Sequence, residues 1–117
     1  LGKAVDYQEA AEVCLVAQRW DPAVSNAVHA GILAADAISV NRTGERWAGD
    51  HQRAPGHLQR AGAKEAANHL QRLLSKKVRA EYDPVPSSKE GAEQAIKTSK
   101  RLVDMAGEVV HGTSTTQ

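Results

Sequence analysis

The 117-residue sequence predicts an all-α fold, an antiparallel up-down bundle of four main helices plus one short helix. Three observations carry that expectation. Phenylalanine is absent and alanine abundant, which removes bulky β-formers and supplies the strongest helix former. Apolar residues recur at three- and four-residue steps over long stretches, and no strand-like run interrupts them. The connections between these stretches are short, which favours antiparallel neighbours.

The first helix is expected from about Ala4 to Ala17, with Tyr7, Ala10, Ala11, Cys14 and Ala17 on its inner face. Asp6, Glu9 and Glu12 sit in its early turns, where the helix dipole favours acids. Trp20 ends that unit, and Asp21 is the expected cap of the second helix, with Pro22 at its first position. The second helix, containing SNAVHAGILAADAISV, is apolar nearly all round, as expected of a helix enclosed by neighbours. Ala27, Gly31 and Ala35 form a flat strip on it for a close helix or a dimer partner. Asn26, His29 and Asp36 interrupt it, so no membrane span is expected.

Gly44 is the expected stop, and a connection, GERWAGDHQRA, follows. A short third helix is expected near residues 51 to 61, weakened by Pro55 and Gly56. The fourth runs from about Ala63 to Glu81, turning Ala66, Ala67, Leu70, Leu73, Leu74 and Val78 inward, and Asp83-Pro84 stops it. After the extended DPVP, Ser87 and Glu90 read as a capping box for the fifth helix. Its stripe of Ala92, Ala95, Ile96, Ser99, Leu102, Val103, Ala106, Val109 and Val110 continues to residue 110. A single domain over residues 1–117, with a frayed tail from about 111, fits this length, and a second subunit would add to a modest core.

Net charge is +1, too low for strong non-specific attraction to nucleic acid, but its distribution is uneven. Residues 42–79 hold nine Lys or Arg against three acids. Such a stretch reads as solvated helix surface or as a basic face for an anion, a nucleic acid or an acidic partner. The lone Cys14 forms no internal disulfide and lies among apolar residues without a basic neighbour, so it is expected to pack. With no leader-like opening, the cytoplasm is the expected compartment. Nucleophile-elbow, P-loop and dinucleotide glycine patterns are missing. The five histidines lack metal-ligand spacing, so neither a metal nor a cofactor is expected.

Three sets of residues remain as candidates. His29 and Asp36, seven apart on the second helix, share a face, either as a hydrogen-bonded pair or as the lining of a polar pocket. Arg79, Tyr82 and Asp83, with Lys76 a turn earlier, cluster at the turn into the last helix and suit binding. Arg46 and His51 are the third set. Histidine exchanges protons near neutral pH, and arginine holds a phosphate, so the pair suits metal-free RNA cleavage. Asp50 and His51 also read as a helix cap, and Trp47 as an anchor.

The run SNAVHAGILAADAI, followed by GERWAGDHQRAPGHLQR and LLSKKVRAEYDPVPSSKEGAEQAIKTSKRLVDMA, resembles the HEPN family, the higher eukaryote and prokaryote nucleotide-binding domain. It is similar in particular to small bacterial members with an Asp-His connection and an Arg-x-x-Tyr-Asp segment before the last helix. The resemblance covers most of residues 4–110. It implies an all-α bundle, usually a homodimer, acting as a nucleotide binder, an RNA-directed toxin or a subunit paired with a cognate protein partner. In the nuclease members an Arg and a His four to six residues apart sit near the start of a late helix. Arg46 and His51 match in spacing but lie between the second and third helices, and Arg79 at the late position has no histidine after it. The resemblance therefore favours a noncatalytic binding module, with a toxin-type ribonuclease as the alternative.

Overall fold

The computed structural model describes residues 1–45 and 47–111. Among these there are five α-helices and no strand: α1 Gly2–Val16, α2 Trp20–Thr43, α3 Ala54–Arg60, α4 Lys64–Tyr82 and α5 Lys89–His111. A single 3₁₀ turn, His51–Arg53, leads directly into α3. The expected frayed tail lies outside the described residues beyond His111.

Helix α2 is the hub, packed against α1, α4 and α5, and its apolar circumference follows from that position. Ala27, Gly31 and Ala35 are all buried, so the flat strip serves the bundle itself. A methyl group on Gly31 would collide with the Leu73 side chain of α4 and touch Leu102 of α5. Glycine here sets how closely three helices meet. Despite Asn26, His29 and Asp36, the helix is long and apolar enough to cross a membrane. Its apolar surface is instead covered, more than half of its most apolar stretch being buried among its neighbours. One buried cluster joins α2 to Leu58 of α3, to Leu70, Leu73 and Leu74 of α4, and to Ala95 and Leu102 of α5.

Several boundaries differ from those read in the sequence, each for a local reason. Trp20 begins α2 rather than closing α1, and Asp21 lies in the first turn instead of capping it. Its carboxylate is drawn away to accept the N–H of Ser87, 2.9 Å away. Pro22 is the third residue of α2, still within the first turn, where its missing N–H costs nothing. Helix α1 closes through Gln18 in the left-handed region, φ 60°. The N–H of Arg19 reaches back to Cys14 O and that of Gln18 to Leu15 O, a Schellman ending built without glycine. The cap of α5 is Ser88, whose Oγ accepts the Gly91 N–H at 2.9 Å, one residue beyond the expected Ser87. Gly44 ends α2 as expected, at φ 80°, and Asp83 ends α4 in extended backbone ahead of Pro84.

The inner face of α1 is also rotated from expectation. Ala4, Gln8 and Ala11 are buried, whereas Tyr7 and Ala17 are exposed. Gln8 is tolerated in the core because its amide donates to Ile96 O at 3.2 Å and accepts from the buried Ser99 hydroxyl. On α4, Val78 proves to be 43% exposed. On α5, Val110 likewise turns outward. The segment around Pro55 avoids its expected weakness by a change of helix type: Asp50 caps the 3₁₀ turn, and Pro55 then enters at the first positions of α3.

Candidate functional site

The C-terminal half of α4 brings Lys76, Arg79 and Asp83 around one cleft of about 240 Å³. Its far wall is the DPVP connection and the start of α5, including Val85, Ser87 and Gly91. Two cross-links hold that wall. Asp83 Oδ1 accepts the Val85 N–H at 3.0 Å, shaping the turn after α4. Asp21 accepts from Ser87, and those bonds, first from the hydroxyl and then from the backbone N–H, hold the Asp21 carboxyl below its ordinary range.

Beside the cleft, Lys76 and Arg79 also line a larger, more open groove of about 500 Å³ between α4 and α5. Arg72 and Lys97 join them there. Lys76 Nζ donates to Gln94 Oε1 across the groove at 3.3 Å. Tyr82, grouped with Arg79 in the sequence reading, lines neither hollow; it stands 77% exposed at the end of α4.

His51 is exposed at the start of the 3₁₀ turn. Asp50 Oδ1 accepts the Gln52 N–H at 2.9 Å, so the expected capping role belongs to the aspartate. Arg46, the other half of the pair proposed for RNA cleavage, lies outside the described residues. Trp47 is the anchor of this connection. Its indole N–H donates to Asp50 O at 2.8 Å, and its ring stacks on His57 with centroids 5.0 Å apart. His51, Asp36, Ser39, Trp47 and His57 surround a cavity of about 10 Å³, the size of one water molecule and far below that of a nucleotide.

Inside that cavity wall, Ser39 Oγ lies 3.0 Å from both Glu45 O and His57 Nε2. The carbonyl can only accept, so the single hydroxyl proton goes to Glu45 and His57 Nε2 donates to Ser39. That polarity is the reverse of a serine activated by a base. Ser39 is also only 1% exposed. The arrangement therefore braces the end of α2 against α3.

His29 and Asp36 do not form the enclosed pair that their spacing allowed. His29 is exposed and stacks on Tyr7 of α1, centroids 5.2 Å apart. Asp36 is half-buried two turns away beside His51 and Trp47. Among the described residues no group of three His, Cys, Asp or Glu could hold a metal ion.

Sequence reasoning missed Arg72 and Lys97 as members of the basic groove. The spacing of Arg72, Lys76 and Arg79, four and then three residues, was a usable signal for one helical face. Nothing local could have placed Lys97 opposite them.

A family model described as HEPN domain matches residues 1–109. No curated protein and no solved structure matches the chain.

Proposed function

We propose that this chain, which belongs to the HEPN domain family, is a noncatalytic binding module for a nucleotide, a nucleic acid or a protein partner. The observation that carries this reading is the convergence of Lys76 and Arg79 on two adjoining hollows, a cleft and a groove, at one end of α4. Asp83 and the neighbouring Tyr82 complete the binding set. His29 and Asp36 complete it only as secondary contacts, since they sit on α2 away from the cleft lining. The chain acts as one domain, its four long helices antiparallel in up-down order, in the bacterial cytoplasm and without a membrane, metal or cofactor. A homodimer belongs to the same reading, as HEPN members usually dimerise, and the exposed Val13 and Val16 of α1 are available to such an interface.

The test is association with a labelled nucleoside triphosphate and with a labelled single strand, measured by fluorescence anisotropy at low and moderate salt. Binding should weaken with salt and with Arg79→Gln, because phosphate contacts release counterions. No association of either probe at low salt would remove the nucleotide and nucleic-acid forms of the reading and leave only a protein partner.

A second reading, a metal-independent toxin-type ribonuclease using Arg46 and His51, is favoured by the exposure of His51. It requires RNA cleavage in the presence of chelator that His51→Ala abolishes. Equal or absent cleavage in both proteins removes it.

A further inference from the structure

Resting on the binding-module reading, we infer that the α4–α5 groove takes the phosphodiester backbone of a single-stranded nucleic acid. Four cations line it, Arg72, Lys76 and Arg79 from α4 and Lys97 from α5, and no acid does. Three other cations on these helices have acidic partners, Lys77 with Glu81, Lys100 with Asp104, and Arg101 with Glu65 and Glu108, while Lys64 and Lys89, at the helix starts, enter no such ion pair among the described residues. Among the described residues, Arg72, Arg79 and Lys97 enter no such ion pair. The helix dipole accounts for Arg79, in the last turn of α4. It does not account for Arg72 or Lys76, which lie further from that end.

The spacing and the lining select the ligand. Along α4 the three cations follow one another at about 6 Å and about 4.5 Å of helix rise, so they track an extended row of negative charges. Between them the groove offers only uncharged hydrogen-bonding side chains, Gln71, Ser75, Gln94 and Thr98. Among the described residues no Leu, Ile, Val or aromatic side chain lines it, its apolar surface being the stems of long polar side chains, so it lacks the large apolar anchors on which protein interfaces centre. A polyanion whose binding is electrostatic has no such need.

The furrow between two packed helices, whose axes lie about 8–10 Å apart, accommodates one strand and not the width of a duplex. Its ends are also marked. At one end Arg101 donates through Nε and Nη2 to Glu65 Oε2 at 3.2 and 3.0 Å, and this bridge closes the tract. At the other, Tyr82 follows Arg79 by three residues on α4 with its ring in solvent. An exposed aromatic just past a row of cations provides a stacking face for a base. Asp83, the next residue, turns its carboxylate to the Val85 N–H in the cleft wall and adds no cation to the tract.

The experiment is anisotropy titration of labelled single-stranded RNA, single-stranded DNA and duplex DNA, each of about 12 nucleotides, beside a nucleoside triphosphate. With four phosphate contacts the wild-type protein should lose about fifty-fold in single-strand affinity between about 50 and about 200 mM salt, from a slope of about −0.7 per contact. The double substitution Arg72→Gln/Lys97→Gln, in residues outside the cleft, should halve that slope and leave the nucleoside triphosphate unaffected. Tyr82→Ala should cost about tenfold without changing the slope, as loss of stacking does. Both single strands should bind; equal RNA and DNA affinities mark backbone recognition, and an RNA preference adds a 2′-hydroxyl contact to the same groove. Unchanged single-strand binding in the double variant overturns the groove while leaving the module reading in place. Duplex binding as tight as single-strand binding overturns the choice of ligand. Failure of every probe at low salt overturns the groove proposal together with the nucleotide and nucleic-acid forms of the module reading. Circular dichroism melts of the exposed variants confirm that each is folded.

Discussion

Asp21 accepts the backbone N–H of Ser87 at 2.9 Å, a bond between residues 66 apart that ties the first turn of α2 to the wall of the cleft. It explains two local departures at once. Asp21 is withdrawn from capping its own helix, and Ser87, whose hydroxyl is also turned to the Asp21 carboxyl, leaves the cap of α5 to Ser88. Because Ser87 lines the cleft with Lys76 and Arg79, the bond also connects the stability of the fold to the shape of the site.

Asp21→Ala should lower stability by no more than about 1 kcal/mol, since the bond is exposed and solvent screens it. The same variant should weaken nucleoside triphosphate binding by loosening the cleft wall. The Asp21 carboxyl is lowered from its ordinary value by the Ser87 bonds. Its contribution is therefore complete above the ordinary carboxylate range and disappears as pH falls through the lowered folded value. Urea titrations at neutral pH and in acid should show the difference between wild type and Asp21→Ala closing at the acid end. A difference that persists below that range would refute the tie.

Gln18→Gly should stabilise the protein. Gln18 holds φ 60° at the end of α1, a conformation that costs a side chain about 1 kcal/mol and costs glycine little. The gain is partly offset by the greater freedom of glycine in the unfolded chain, so an increase of about 0.5 kcal/mol is expected. A thermal melt reads it, and a lower midpoint would show that the Gln18 side chain contributes more than its backbone costs.

Gly31→Ala should destabilise by about 1–3 kcal/mol through overpacking, because the added methyl meets Leu73 and Leu102 from two different helices. Leu73→Ala in the same chain removes the nearer obstruction, so the double variant should fall short of the sum of the two single losses. Denaturant midpoints for the four proteins test this, and strict additivity would mean that the helices separate freely at Gly31.

Gln8 and Ser99 are both buried and hydrogen-bonded to each other across α1 and α5. Gln8→Ala and Ser99→Ala should therefore show a coupling of about 1 kcal/mol in a double-mutant cycle. A coupling near zero would reduce the pair to two independent packing contacts.

Helix existence, the central role of α2, the stops at Gly44 and Asp83, and the inward leucines of α4 were legible in the sequence because local physics decides them. Apolar spacing fixes a helical face, a left-handed glycine ends a helix, and a residue before proline leaves the α region. Membership in the HEPN domain family was legible too, through runs of residues that cover most of the chain. The tertiary structure decided what depends on residues distant in sequence. Gln8 is a core residue only because Ile96 and Ser99 face it. Asp21 leaves its cap only because Ser87 is within reach. His29 and Asp36 share a helix but meet different neighbours, Tyr7 in one case and the Trp47–His57 cavity in the other. Lys97 joins Arg72, Lys76 and Arg79 only once α5 lies against α4. A side chain's type and spacing specify the helix it belongs to; hydrogen bonds and charge act over a few ångströms, and which groups come that close is set by how the helices pack.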